Sequence, residues 1–168
     1  MALTVDETIR TRRTVKEYVD VAVDAASIRE LLELAVQAPN HHLTAPWRFW
    51  VVGSETVKQL TAATGDRKLG RSASAVVVGF TPDDDPEVAR EDEAACAAAI
   101  QTFMLAATAR GLATFWRTPG VMRRPAFGET LGASAGTRFV GYVHVGHAAG
   151  APPIVEVRSA PAHTAWLP

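Results

Sequence analysis

"TPDDDPEVAREDEAACAAAIQTFMLAATARG", residues 81–111, is the stretch that decides how the rest of the chain is arranged. Acidic side chains crowd its start, where they complement the positive end of a helix dipole, and Gly111 stands where a helix would stop. Between them "ACAAAIQTFMLAA" (95–107) is apolar on nearly every side. A helix of that composition is buried all round, inside a domain or between subunits, and its small side chains permit close backbone approach.

Working outward, "ASAVVVGF" (73–80) is a continuous apolar run of the kind found in a central strand covered on both faces. "LATFWR" (112–117) reads as a strand, "RRPAFGETLG" (123–132) as a short helix and "RFVGYVHVG" (138–146) as the last clear strand. Upstream, "RFWVVG" (48–53) is a strand and "SETVKQLTAAT" (54–64) a modest helix. Two capping boxes open helices nearer the N-terminus. "TVDE" (4–7) starts one that runs through Ile9 to about Arg12. "SIRE" (27–30) starts another, with Ile28, Leu31, Leu32, Leu34, Ala35 and Ala38 at helical spacing until Pro39 closes it. The tail "HAAGAPPIVEVRSAPAHTAWLP" (147–168) offers only a short strand over 154–157, yet it ends in Trp166 and Leu167. A free tail has no reason to carry a Trp, so the tail is expected to dock on the body or on a partner subunit. With no repeat or interior linker, residues 1–168 read as one domain of mixed helices and strands. Two helices before the first strand argue against a doubly wound start.

Composition narrows the function classes. The chain has 168 residues, 48% hydrophobic and 21% charged, which is ordinary for a globular protein with a real core. A net charge of −1 supplies no field to draw it to nucleic acid or membrane. The single cysteine, Cys96, precludes an internal disulfide and fits a reducing compartment. No signal-peptide core opens the chain and no window approaches the roughly 18 apolar residues of a membrane span, so a cytoplasmic location is expected.

The familiar catalytic patterns are missing. No G-x-S-x-G elbow, H-E-x-x-H, C-x-x-C, Walker loop or G-x-G-x-x-G after a strand occurs. Cys96 lies in the Ala-rich helix as a structural thiol, and Asp83, Asp84 and Asp85 read as a solvated turn and helix start. Adjacent His41 and His42 are expected to point apart, which disfavours a shared metal, and His144 and His147 read as structural. Two basic clusters remain. Arg12, Arg13, Thr14 and Lys16 in "RTRRTVK" form an anion-holding corner, or simply the solvated end of a helix. Trp116, Arg117 and Thr118 in "FWRTPG" stand at the carboxyl end of a strand, where α/β proteins tend to place ligands, or plug a turn.

In order, "RRTVK", the loop "APNHHLTAPWRF" (38–49), the helix with "AAIQTFMLAATARGLATFWRTPG" (98–120) and the strand "RFVGYVHVGHA" (138–148) make the chain resemble the flavin-dependent nitroreductase family, in its compact single-domain branch. The likeness spans about residues 9–146. It implies an α+β fold with a central mixed sheet flanked by helices, and a long central helix at a homodimer interface with two FMN sites. By position, Arg12, Arg13 and Thr14 would contact the phosphate and ribityl chain, and Lys16 the pyrimidine edge. His41 would reach the flavin from the partner chain, Trp116, Arg117 and Thr118 would run beside the isoalloxazine, and Arg158 would add a phosphate contact from the tail. The implied activity passes hydride from NAD(P)H through flavin N5 to an electron-poor small molecule, a nitroaromatic, quinone or activated alkene. The alternative is a flavin-storing dimer with little turnover. Because a flavin brings its own redox chemistry, no catalytic side chain is assigned and no metal is expected. Two positions depart from the family pattern: Ala45 replaces a glutamine before Pro46–Trp47, and Gln37 an arginine.

Overall fold

Helix starts follow local hydrogen-bond chemistry. In the computed structural model, which describes residues 3–154, 160 and 163–167, α1 covers Val5–Thr11 and its capping box forms in full: Thr4 accepts from the Glu7 amide, and the Glu7 carboxylate accepts from the Thr4 amide. The second helix, α2 (Ala25–Ala35), begins earlier than the "SIRE" box predicts. Asp24 caps it, accepting from both the amide (2.9 Å) and the hydroxyl (2.6 Å) of Ser27. Ala25 and Ala26 are good helix formers, so the helix extends back to the stronger cap.

The chain then forms β1 (Arg48–Val52), α3 (Ser54–Thr64), β2 (Ser74–Phe80), α4 (Pro86–Ala109), β3 (Ala113–Arg117), α5 (Pro125–Thr130) and β4 (Arg138–Gly146). Every β2 residue is buried, as its unbroken apolar run requires. α4 is capped by Asp85. It ends in a Schellman motif in which Gly111, at φ 74°, and Leu112 donate to the carbonyls of Thr108 and Ala107.

The four strands lie in the order β1-β2-β4-β3, and every adjacent pair is antiparallel. This corrects the mixed sheet. The one parallel pairing among the described residues is an isolated bridge, Thr14 to Thr114. An apolar strand reads the same in either direction, and only its connections decide which way it runs.

One sheet face, with Val76, Val78, Phe80, Val143 and Val145, packs on α4 and α2. The other, with Ala75, Val77 and Tyr142, packs on Val57 and Leu60 of α3 and Phe127 of α5. The inner side of α4 buries Ala95, Cys96, Ala99, Ile100, Phe103 and Ala107, whereas Ala94 and Gln101 stay exposed and Ala97, Ala98 and Leu105 are only half-buried. A single chain therefore leaves one face of α4 partly open. Cys96 is buried as expected, and burial pushes its thiol up to about 12, with Asp92 and Glu93 adding to the effect. No helix among the described residues is long and apolar enough to cross a membrane.

The described end of the tail does not dock on its own body: Trp166 is 90% and Leu167 89% exposed. Most of the expected strand at 154–157 lies outside the described residues.

Candidate functional site

The basic box leaves α1 and runs along the sheet edge. Arg12 is the last residue of the helix cap, Thr14 bridges Thr114 of β3, and the Val15 amide donates to the Thr114 carbonyl (3.2 Å). β3 is an edge strand, so this pairing both covers the edge and holds the box in place. Lys16 sits 5.9 Å from the centroid of the Phe115 ring, a cation–π contact, and its carbonyl accepts from Arg71 Nη1 (3.1 Å). Arg12 is half-buried, while Thr14 and Lys16 are exposed. Arg13 folds back and donates through Nη1 to the carbonyls of Arg10 (2.6 Å) and Arg12 (2.9 Å), as a cation at a helix C-terminus does.

The second cluster splits across the sheet because strand side chains alternate. Trp116 turns toward α4 and donates from its indole to the Val140 carbonyl (3.3 Å). Arg117 turns the other way and pairs with Asp66 at 3.1 Å, both side chains largely buried (14% and 16% exposed). Thr118 is exposed just beyond the strand. The box and Arg117 are thus brought to one strand, β3, while Trp116 belongs to the core.

Behind β3 lies a polar layer around His144, read as structural from the sequence, together with Asp66 and Arg71, which that reading leaves out. His144 is fully buried, edge-on to Tyr142 and stacked near Tyr18 and Phe115. The Ser72 hydroxyl donates to the Ser74 carbonyl (2.7 Å), so it accepts from His144 Nδ1–H (2.9 Å) and leaves Nε2 as the bare acceptor. Neither Nε2 nor Arg117 Nη1 finds a partner among the described residues. Burial holds the His144 pKa down to about 3, with the Arg117 and Arg71 charges adding to it and Asp66 opposing. Asp66 and Arg71 flank "RKLG" just before β2, and the cations of "DRKLGR" (66–71) were the available signal.

His41 stands elsewhere. Its Nδ1 lies 3.2 Å from Glu91, near the start of α4, and the two side chains are half exposed. The His41 and His42 rings meet edge-to-face, centroids 4.0 Å apart, rather than pointing away from each other. His42 adopts φ 49°. No group of three or more metal-ligating side chains gathers among the described residues. Leu43 (φ 55°) and Ala45 (φ 45°) share this left-handed backbone, which costs roughly 1–2 kcal/mol per non-glycine residue. Two side-chain bonds hold the loop: Asn40 Oδ1 accepts from the Ala45 amide (2.9 Å), and Thr44 donates to buried Asp92 (3.0 Å).

Glu91 and Ala109 are separated by about 27 Å of helix, at ~1.5 Å per residue. One chain therefore keeps His41 at one end of α4 and the box, which pairs just beyond the other end, far from it. Arg158 lies outside the described residues.

The family model described as the nitroreductase family matches residues 9–77 and 61–147. YfhC of Bacillus subtilis, provisionally named an NAD(P)H nitroreductase, is 29% identical, covering 87% of this chain and 85% of its own. Among solved structures, a nitroreductase-like family protein from Bacillus cereus superposes with TM-score 0.89 at 27% identity, covering 99% of this chain and 97% of its own. A Desulfovibrio desulfuricans protein described as a nitroreductase, solved in complex with FMN, gives TM-score 0.82 at 25% identity and covers 100% and 99% of the two chains.

Proposed function

The chain belongs to the nitroreductase family, and we propose that it is an FMN-dependent, NAD(P)H-oxidising reductase that works as a cytoplasmic homodimer. The observation that carries this reading is the basic box laid along β3, with exposed Thr14 and Lys16, half-buried Arg12 and Phe115 beneath the Lys16 ammonium.

That donor set fits a flavin mononucleotide. Arg12 and the Thr14 hydroxyl suit a phosphate and ribityl chain, and Arg13 joins them by releasing the two carbonyls it now holds. Lys16 suits the pyrimidine edge, and Thr118, with the backbone after Arg117, suits the flank of the ring. In this proposal Arg158 completes the phosphate contacts. When bound, FMN would supply the hydride chemistry that links NAD(P)H to an electron-poor acceptor. The Lys16 ammonium, near the Phe115 ring, favours added negative charge on the cofactor. Arg117 is committed to Asp66, and its part is to hold the end of β3 in place.

The separation of His41 from the box supports a dimer. Two α4 helices packed antiparallel through their partly open faces bring His41 of one protomer beside the box of the other. His147–Ala149 pair with Glu17–Val19 of their own chain, and in this proposal the end of the tail docks on the second chain, where Trp166 and Leu167 find cover.

A visible spectrum of the purified protein tests the proposal. Flavin absorbance, as isolated or after adding FMN, is expected, with NAD(P)H oxidation in the presence of a nitroaromatic or quinone. A protein that stays colourless with FMN defeats the reading, and bound flavin without turnover turns it into a flavin store.

A further inference from the structure

On the α3 side of the sheet a cleft of ≈ 610 Å³ opens between α3, the segment Tyr18–Asp20 and the turn that leads into β2. Its size lies within the range of small-molecule pockets, roughly 300–1,000 Å³. None of the described residues assigned to the flavin lines it.

The lining combines apolar side chains with three cations. Val57, Ala62 and the Tyr18 ring supply the floor. Lys58, Arg67 and Arg71 face a single carboxylate, Asp20, among the described lining residues. Lys58 is weakly engaged: it meets Glu55 at 3.5 Å with both side chains about three-quarters exposed (75% and 76%), a pair too solvated to hold it. α3 begins at the cleft with Ser54. Its N-cap, Gly53, makes no side-chain cap hydrogen bond, so first-turn amides remain available to an anion. Two further polar atoms on lining residues, Arg71 Nε and Thr61 Oγ1, are buried without a partner among the described residues.

We propose that this cleft is a second small-molecule site, distinct from the flavin box, which takes a phosphate monoester carried on an apolar or aromatic body. Lys58, Arg67 and the α3 amides hold the phosphate, and Val57, Ala62 and Tyr18 take the body. Arg71 links the two sites, because the guanidinium that borders the cleft also holds the Lys16 carbonyl. An occupant that draws Arg71 toward itself is therefore felt at the box.

The test is an amide NMR titration of the FMN-saturated protein with phenyl phosphate. Saturable shifts are expected at Ser54, Thr61, Arg71 and Ser72, with phenol at the same concentrations leaving them unmoved. A Lys58→Ala/Arg67→Ala double variant, altered only at exposed positions, is expected to keep its melting temperature and weaken the probe at least about tenfold. Ala62→Trp, which fills the floor, is expected to abolish the shifts. Shifts confined to Arg12–Lys16, equal shifts with phenol, or unchanged affinity in the double variant would each overturn the proposal. If the protein takes up no flavin, the same titration on the flavin-free chain still reads the cleft amides, so the two proposals fail separately.

Discussion

Against α4 the sheet presents Val76, Val78, Phe80, Val143 and Val145 to an equally apolar helix, whereas its other face buries Tyr142, His144 and the Arg117–Asp66 pair beneath α3 and α5. The first face is held mainly by close packing. An added Cβ at Gly141 would meet the Trp116 indole and come within 2.8 Å of Ile100 Cδ1, so even one methyl has no room there. The second face adds to its apolar packing a polar layer, the Arg117–Asp66 pair and the Ser72–His144 hydrogen bond. The proposed flavin site sits where the two faces meet, on β3, with Trp116 belonging to one and Phe115 and Arg117 to the other.

The sharpest way to break this contrast is to remove one member of the buried ion pair. Arg117→Met leaves the Asp66 carboxylate uncompensated and is expected to cost about 3 kcal/mol of unfolding free energy in a urea titration. Asp66→Asn in the same chain is expected to recover most of that, and a double variant no better than the single one would show that the two charges are not coupled.

His144 gives the polar face a pH dependence that the apolar face lacks. Its folded pKa, about 3, lies below the ordinary value of 6.5, so the unfolded chain binds the proton more tightly. Its contribution to stability is complete above about pH 6.5 and is lost as pH falls toward 3. By about pH 4 the loss amounts to roughly 3 kcal/mol. His144→Gln, compared with the parent across that window, is expected to flatten the curve. Parallel curves would mean that the carboxylates alone set the acid sensitivity.

Overpacking probes the apolar face. Gly141→Ala is expected to destabilise by about 2 kcal/mol, with no dependence on pH between 4 and 8, since no titrating group is displaced. A pH-dependent loss would show that the two faces communicate through β4.

The smallest effect on stability is expected at the junction. Lys16→Ala removes an exposed cation–π contact of about 0.5 kcal/mol. The same change is expected to weaken FMN by about tenfold in a fluorescence titration, equivalent to about 1.4 kcal/mol. Unchanged FMN affinity would remove Lys16 from the site.

Most elements of this fold are legible because their signals are local. The Thr4–Glu7 box, the unbroken run of β2, the limits of β4 and the stop at Gly111 each depend on residues a few positions apart. The "SIRE" box misplaced the start of α2 because two caps compete within four residues, and the relative strength of their hydrogen bonds decided between them. The candidate site is legible only in part for a different reason. Arg12 to Lys16 form a visible cluster, but Asp66 and Arg71 gain meaning from partners 51 and 55 residues away in sequence.

By itself, then, the sequence determined the helices and strands, the two-sided burial of the central strand, the family and the basic cluster proposed to hold an anion. The tertiary structure alone decided that the strands run antiparallel, that Trp116 and Arg117 part to opposite faces and that His41 and His42 touch. It also decided that the basic box closes the edge of the sheet. Periodicity and capping are read from neighbours along the chain. Strand direction, side-chain facing and buried charge pairing are settled only when distant segments meet.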